Sequence, residues 1–98
     1  MSYQVLFRSP ALKELEEAYM WYEDKKINLG ERLLNEVQST LDLLKLNPKI
    51  FQLQKKPFRQ VHLKNFPYLM IFSVEKDIVV IYSFFHTSRN TKSKFKNR

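Results

Sequence analysis

Residues 59–86 read RQVHLKNFPYLMIFSVEKDIVVIYSFFH, and this stretch decides the fold class of the chain. Polar and apolar residues alternate at its start, which is the two-residue period of a half-buried strand. Polar or proline-containing turns at 65–67 and 75–77 separate runs of β-branched and aromatic residues. The stretch therefore predicts three consecutive strands, at 58–65, 67–74 and 78–86.

The N-terminal half shows a different periodicity. Apolar residues recur at helical spacing through 10–26 and again through 29–46, so each segment is predicted to be an amphipathic helix. Asn28-Leu29-Gly30 separates the two helices, and Asn47-Pro48 ends the second one. Because the connection between them is short, the helices are expected to form an antiparallel hairpin.

A short alternating run at 3–7 adds one strand before the helices, which gives the order β-α-α-β-β-β. The predicted fold is α+β: a two-helix hairpin packed on one face of a mostly antiparallel four-stranded sheet. The inward-facing residues expected in the core are Leu15, Tyr19, Leu33, Val37, Leu41, Val61, Leu63, Ile71, Val79 and Ile81.

Length and composition narrow the class of protein. The chain has 98 residues, so one domain spanning 1–98 is expected, with a basic tail at 87–98. It contains no cysteine, and its first residues lack the basic start and apolar run of a signal peptide. A cytoplasmic protein with no membrane partner is therefore expected. With a single glycine, no glycine-rich phosphate loop is available, and we expect no cofactor.

Charge is distributed unevenly along the chain. The formal net charge is +7. Residues 1–48 carry six basic and eight acidic residues, a net charge of −2, whereas residues 49–98 carry eleven basic and two acidic residues, a net charge of +9. Such a field favours an anionic partner, either nucleic acid or an acidic protein segment, although a basic surface can also serve solubility alone.

A set of basic and imidazole side chains on or just after the predicted strands provides the candidate residues for binding a target or nucleic acid. They are Arg59, His62, Lys64, His86 and Arg89. Of these, His86, Arg59 and Arg89 are the candidates for catalysis, since a histidine can transfer protons and an arginine can hold phosphate.

In a regular strand, Arg59 faces away from His62 and Lys64, so one surface can hold all three only if a bulge re-aims one of them. The alternative interpretation is a solvated outer face of the sheet. The two histidines have no cysteine partners and no acidic residues at ligand spacing, so no metal site is expected.

Several motifs together resemble one family. Residues 11–23, ALKELEEAYMWYE, are similar to the first helix of ParE-like toxins, and 29–37, LGERLLNEV, to the start of the second helix. Residues 66–72, FPYLMIF, resemble the family's hairpin, and 81–89, IYSFFHTSR, its closing strand. Over roughly residues 3–90 the chain thus resembles the RelE/ParE superfamily of type II toxins.

The resemblance implies a toxin that a cognate antitoxin neutralises. Within the superfamily, ParE-like members inhibit DNA gyrase, and RelE-like members cleave mRNA on the ribosome without a metal. The nuclease branch usually carries an arginine in the middle hairpin strand, where this chain has Leu69. His86 matches a catalytic histidine of some nucleases, but the tyrosine that can follow it is Thr87 here. The resemblance therefore favours a ParE-like gyrase inhibitor.

Two alternatives stay open at this point. One is a RelE-like, ribosome-dependent endonuclease that acts on mRNA, and the other is a basic nucleic-acid-binding module. For the antitoxin, Trp21 and Phe51 are the expected contacts, as candidate exposed aromatic residues. Acidic antitoxin residues are expected to face the basic second half of the chain.

Overall fold

A computed structural model describes residues 2–88 of the chain. Five strands form one mixed sheet, and two helices pack on one of its faces. The elements are β1 (Gln4–Phe7), α1 (Ser9–Lys25), α2 (Leu29–Leu46), a 3-10 helix (Pro48–Ile50), β2 (Leu53–Lys55), β3 (Phe58–His62), β4 (Tyr68–Glu75) and β5 (Ile78–His86). The strands lie in the order β1-β5-β4-β3-β2.

The predicted fold class is confirmed, but the predicted number of strands was wrong. The additional strand, β2, pairs antiparallel with β3 at one edge of the sheet. All three of its residues are exposed, and a polar segment this short shows no periodicity that predicts a strand. β3 also ends at His62, earlier than predicted, so Lys64 lies in the turn that follows rather than on a strand.

β5 has a parallel neighbour on one side and an antiparallel neighbour on the other. β1 runs parallel to its first half, from Gln4 opposite Ile78 to Phe7 opposite Ile81. β4 runs antiparallel along its whole length. A parallel pair needs a crossover connection, and the helical hairpin begins that connection by carrying the chain over one face of the sheet. The predicted antiparallel character therefore holds for all pairs except β1 with β5.

An irregularity interrupts the pairing of the two longest strands. Ile71 lies opposite Ser83, but the next residue, Phe72, lies opposite Ile81, so Tyr82 is an extra residue in β5. A bulge of this kind changes which face the following side chains occupy. As a result, Ile81 and Phe84 both pack in the core on the helical side of the sheet.

The turn between the helices is fixed by contacts from α1. Asn28 has a left-handed backbone, with φ of 70°, which asparagine tolerates better than most residues. The Glu23 carboxylate accepts hydrogen bonds from the backbone N–H groups of Asn28 and Gly30, both at 3.0 Å. A Cβ atom at Gly30 would lie 2.8 Å from the carbonyl oxygen of Tyr19, so the helices approach closely only because this residue is glycine.

The main core lies between the helices and the sheet. Eight of the ten predicted core residues are buried; the other two, Tyr19 and Leu41, are half-buried. Ile71 is buried on the opposite face, in a second cluster with Leu69 and Phe85 against which Phe58 packs. β4 is thus buried on both faces over most of its length, which makes it the most completely enclosed strand among residues 2–88.

Truncation of a core leucine tests this packing. Leu33 on α2 is fully buried, whereas Leu43 on the same helix is 56% exposed. We expect Leu33→Ala to lower the free energy of unfolding by about 2–5 kcal/mol, since it removes apolar contacts and leaves a cavity. Leu43→Ala should change it by less than about 0.5 kcal/mol. Urea denaturation measures both, and equal effects of the two substitutions would contradict the packing described.

Candidate functional site

His86 ends β5 and lies opposite Tyr68, the first residue of β4. The two rings meet edge to face, with centroids 5.3 Å apart. The backbone N–H of Ser88 donates to His86 Nδ1 at 3.2 Å, and Ser88 Oγ lies 3.0 Å from the same nitrogen. Because Nδ1 accepts a hydrogen bond from a backbone N–H, the arrangement favours the neutral tautomer with its proton on Nε2.

A cavity of about 330 Å³ lies beside His86, between α1 and the C-terminal end of β5. Its walls combine acidic and aromatic side chains, among them Glu14, Glu17, Trp21, Tyr68, Phe84 and His86. Glu17 is exposed and Glu14 is half-buried. The cavity therefore offers negative charge next to aromatic surface, a combination that suits a cationic group.

Glu14 is held in place by the end of the sheet. β1 stops opposite Ile81, so the following residues of β5 have no neighbouring strand on that side. The Glu14 carboxylate accepts a hydrogen bond from the backbone N–H of Phe84 at 2.9 Å, and Ser83 Oγ lies 3.5 Å from the same oxygen. A buried backbone donor needs a partner, and here a helix side chain takes the place of a strand.

Arg59 serves the structure of a neighbouring loop. Its Nη1 donates to the carbonyl oxygens of Lys49 at 3.1 Å and Phe51 at 2.8 Å. These two residues flank the end of the 3-10 helix that leads into β2. Two hydrogen bonds from a charged donor fix this loop against β3, so Arg59 is engaged by backbone carbonyls in the part of the chain that the structure describes.

His62 lies on the other face of the sheet from His86. It is exposed at the end of β3 and is in register with Leu69, which in turn pairs with Phe85. Phe85 and His86 are adjacent in a strand, so their side chains point to opposite faces. Lys64 is exposed in the turn after β3. The face with the helices thus holds His86, and the opposite face holds His62.

Arg59 and His86 are far apart although both lie on the helical side. Arg59 is in register with Phe72, and His86 with Tyr68, four residues away along β4. The four residues correspond to roughly 13 Å along the strand direction. The two strand spacings from β3 to β5 add about 9.5 Å in the perpendicular direction. Buried core residues such as Met70 and Phe84 fill the space between them. Among residues 2–88, the structure therefore does not bring the predicted cationic side chains to one place.

The aromatic residues predicted to contact an antitoxin have different environments. Trp21 is 46% exposed, packs edge to face on Tyr22 and has Lys25 Nζ 4.9 Å from its ring centroid. Phe51 was predicted to be exposed, but it is half-buried with its ring 6.3 Å from that of Phe72. The hydrogen bond from Arg59 to the carbonyl oxygen of Phe51 holds this residue against the sheet. Arg89, the remaining predicted site residue, lies outside the described residues.

Sequence reasoning missed Glu14, because all of the predicted site residues were basic, imidazole or aromatic side chains. A signal was available: Glu14 follows Ala11 by three residues and precedes Ala18 by four, so it shares their buried face. Two alanines on that face let the helix approach the sheet closely enough for a carboxylate to reach the backbone. Within residues 2–88, no group of three or more acidic or histidine side chains is arranged to hold a metal ion. None of the helices described is long and apolar enough to cross a membrane.

A family model described as the ParE toxin of the type II toxin–antitoxin system parDE matches residues 5–91. The chain belongs to the ParE toxin family. It is the toxin of a type II toxin–antitoxin pair, and its partner is a cognate antitoxin. Among proteins of curated function, none matches the toxin.

Solved structures share the fold of the toxin. The chromosomal ParDE system of P. aeruginosa aligns with a TM-score of 0.74 and 13% identity, covering 89% of this chain and 98% of that one. The isolated E. coli RelE toxin aligns with a TM-score of 0.66 and 18% identity, covering 98% of both chains. An E. coli RelE mutant in complex with an antitoxin RelBc peptide aligns with a TM-score of 0.68 and 17% identity, covering 98% of this chain and 95% of that one.

A substitution separates a structural role of Arg59 from a role in target binding. We expect Arg59→Ala to lower the free energy of unfolding of the toxin by about 1–3 kcal/mol, because two backbone carbonyls lose a charged donor. Lys56→Ala, which removes an exposed charge from the β2–β3 turn, should change it by less than about 0.5 kcal/mol. Thermal and urea unfolding measure both. Unchanged stability with weakened target binding would instead make Arg59 a binding residue.

Proposed function

We propose that the toxin inhibits DNA gyrase by binding it and does not cleave RNA itself. The observation that carries this proposal is that the predicted cationic and imidazole side chains within residues 2–88 do not converge on one site. A metal-free RNase must activate a 2′-hydroxyl, protonate a leaving oxygen and stabilise a phosphate whose negative charge grows. Each task requires a group within hydrogen-bonding reach of the same scissile bond.

Leu69 is central to this proposal. It occupies the hairpin position where the nuclease branch of the superfamily usually has an arginine, and it is only 3% exposed. Its neighbours are Ile71, Phe85 and Phe58, which form an apolar cluster. A guanidinium would be unfavourable there, since burying an unpaired charge costs several kcal/mol. The position therefore contributes packing and offers no contact to phosphate.

The remaining candidates among residues 2–88 are dispersed or already engaged. His62 lies on the face opposite His86, and Arg59 donates to the carbonyl oxygens of Lys49 and Phe51. A gyrase inhibitor needs none of these catalytic groups; it needs a complementary surface. The net charge of +9 on residues 49–98 supports binding to an anionic protein or protein–DNA surface.

One observation favours the alternative of a RelE-like mRNA endonuclease. His86 lines a cavity together with Glu14 and Glu17, and a histidine beside carboxylates is a common arrangement for proton transfer. This alternative predicts that mRNA cleavage depends on His86 and not on His62.

Purified toxin distinguishes the two activities. We expect it to trap gyrase–DNA cleavage complexes and to leave mRNA on programmed ribosomes intact. His86→Gln should retain gyrase inhibition within about threefold, as should the matched variant His62→Gln on the opposite face. The proposal is wrong if the toxin cleaves mRNA and His86→Gln lowers the cleavage rate a hundredfold or more, the scale of a lost general acid, while His62→Gln does not.

For the antitoxin, we propose that Trp21 is part of the contact surface. It is an exposed aromatic residue on α1, one residue after Met20, which is 65% exposed. Tryptophan is among the residues most often found as anchors of protein interfaces. The half-buried Phe51 contributes less, because most of its contact is with the core of the toxin itself.

Antitoxin binding by substituted toxins tests this assignment. We expect Trp21→Ala to weaken the affinity by at least tenfold, as the loss of an interface anchor does. The exposed apolar residue Leu53, on β2 at the far edge of the sheet, provides the matched control, and Leu53→Ala should change the affinity by less than twofold. Equal losses in calorimetric titrations of the two variants would rule out Trp21 as an anchor.

A further inference from the structure

The cavity beside His86 has the chemistry of a receptor for a cationic side chain. Glu14 and Glu17 lie one helical turn apart on α1 and place two carboxylates at its wall, next to the rings of Trp21 and Phe84. A lysine or arginine in this cavity would meet negative charge on one side and aromatic surface on the other. This negative wall belongs to a protein whose overall charge is +7.

The course of the chain brings a source of such cations to the same place. β5 ends at His86, which is itself part of the cavity wall. Ser88 is hydrogen-bonded to His86 Nδ1, so the chain passes the rim of the cavity where the described residues end. The segment that follows, residues 89–98, carries five basic residues and no acidic one.

We propose that the cavity binds a lysine or arginine side chain of residues 89–98 of the same chain. The positive charge of this segment is complementary to the carboxylates of the cavity, and its covalent proximity favours it over a cation from another protein. A segment tethered within a few residues of its site experiences an effective concentration of about the millimolar range, which gives it an advantage over a cation that another protein supplies at lower concentration. The proposal is independent of which target the toxin inhibits.

The site also assigns different roles to the neighbouring acidic residues of α1. Glu14 accepts the Phe84 N–H and is therefore partly a structural residue. Glu17 lines the cavity and is exposed, which makes it the better residue for a test. Glu16 is adjacent, also exposed and on the same helix, but it does not line the cavity. Glu16→Gln is thus a matched control that removes the same charge from the same helix.

Limited digestion of the full-length toxin with trypsin tests the proposal, because trypsin must bind the same lysine or arginine side chains. We expect Glu17→Gln to raise the rate of cleavage within residues 89–98 about two- to fivefold over Glu16→Gln, which is the size of effect that one exposed charge pair gives. Mass spectrometry of the products identifies the docked residue as the one whose cleavage is accelerated most.

A second measurement does not depend on any substitution in α1. Trp21 is the only tryptophan of the chain, so its fluorescence reports on the cavity. Replacing the five basic residues of 89–98 by glutamine in the full-length toxin should shift the emission of Trp21, while Lys56→Gln, on the far side of the sheet, should not. Equal cleavage rates in Glu17→Gln and Glu16→Gln, or an unchanged Trp21 emission, would overturn the proposal and leave the cavity to a cation from another chain.

Discussion

Beyond Ile81, one edge of β5 has no neighbouring strand, so its backbone N–H groups need other hydrogen-bond acceptors. The geometry of the site around His86 depends on which group supplies them. β1 covers only the first half of the strand, so the N–H of Phe84 would be buried without a partner. Glu14 of α1 supplies the acceptor. This contact requires α1 to lie across the open end of the strand. The cavity between helix and sheet, and the position of His86 at its wall, follow from that placement.

The sequence predicted the elements whose periodicity extends over several residues. The α2 helix ends where Asn47-Pro48 indicates, and β5 matches the β-branched and aromatic run that predicted it. β2 was missed because three exposed residues carry no periodic signal. The roles of Arg59 and Glu14 could not be predicted either, since each depends on backbone groups that only the tertiary fold brings near: the carbonyl oxygens of a loop and the N–H of a strand without a neighbour.

The same geometry bears on how the toxin acts. A cluster of basic residues in sequence indicates a charged surface, yet a strand distributes such residues over both faces and a loop can engage them. His62 and His86 lie on opposite faces, and Leu69 is a buried member of an apolar cluster. This arrangement supports the proposal that the toxin acts by binding a partner surface.

Induction of the toxin in growing cells, with DNA synthesis and protein synthesis followed separately, tests most directly whether it acts through a surface rather than a catalytic group. We expect DNA synthesis to fall first, with protein synthesis continuing until the cells stop dividing, and we expect His86→Gln to give the same order of events. An immediate collapse of protein synthesis that His86→Gln prevents would contradict this account and make His86 a catalytic residue.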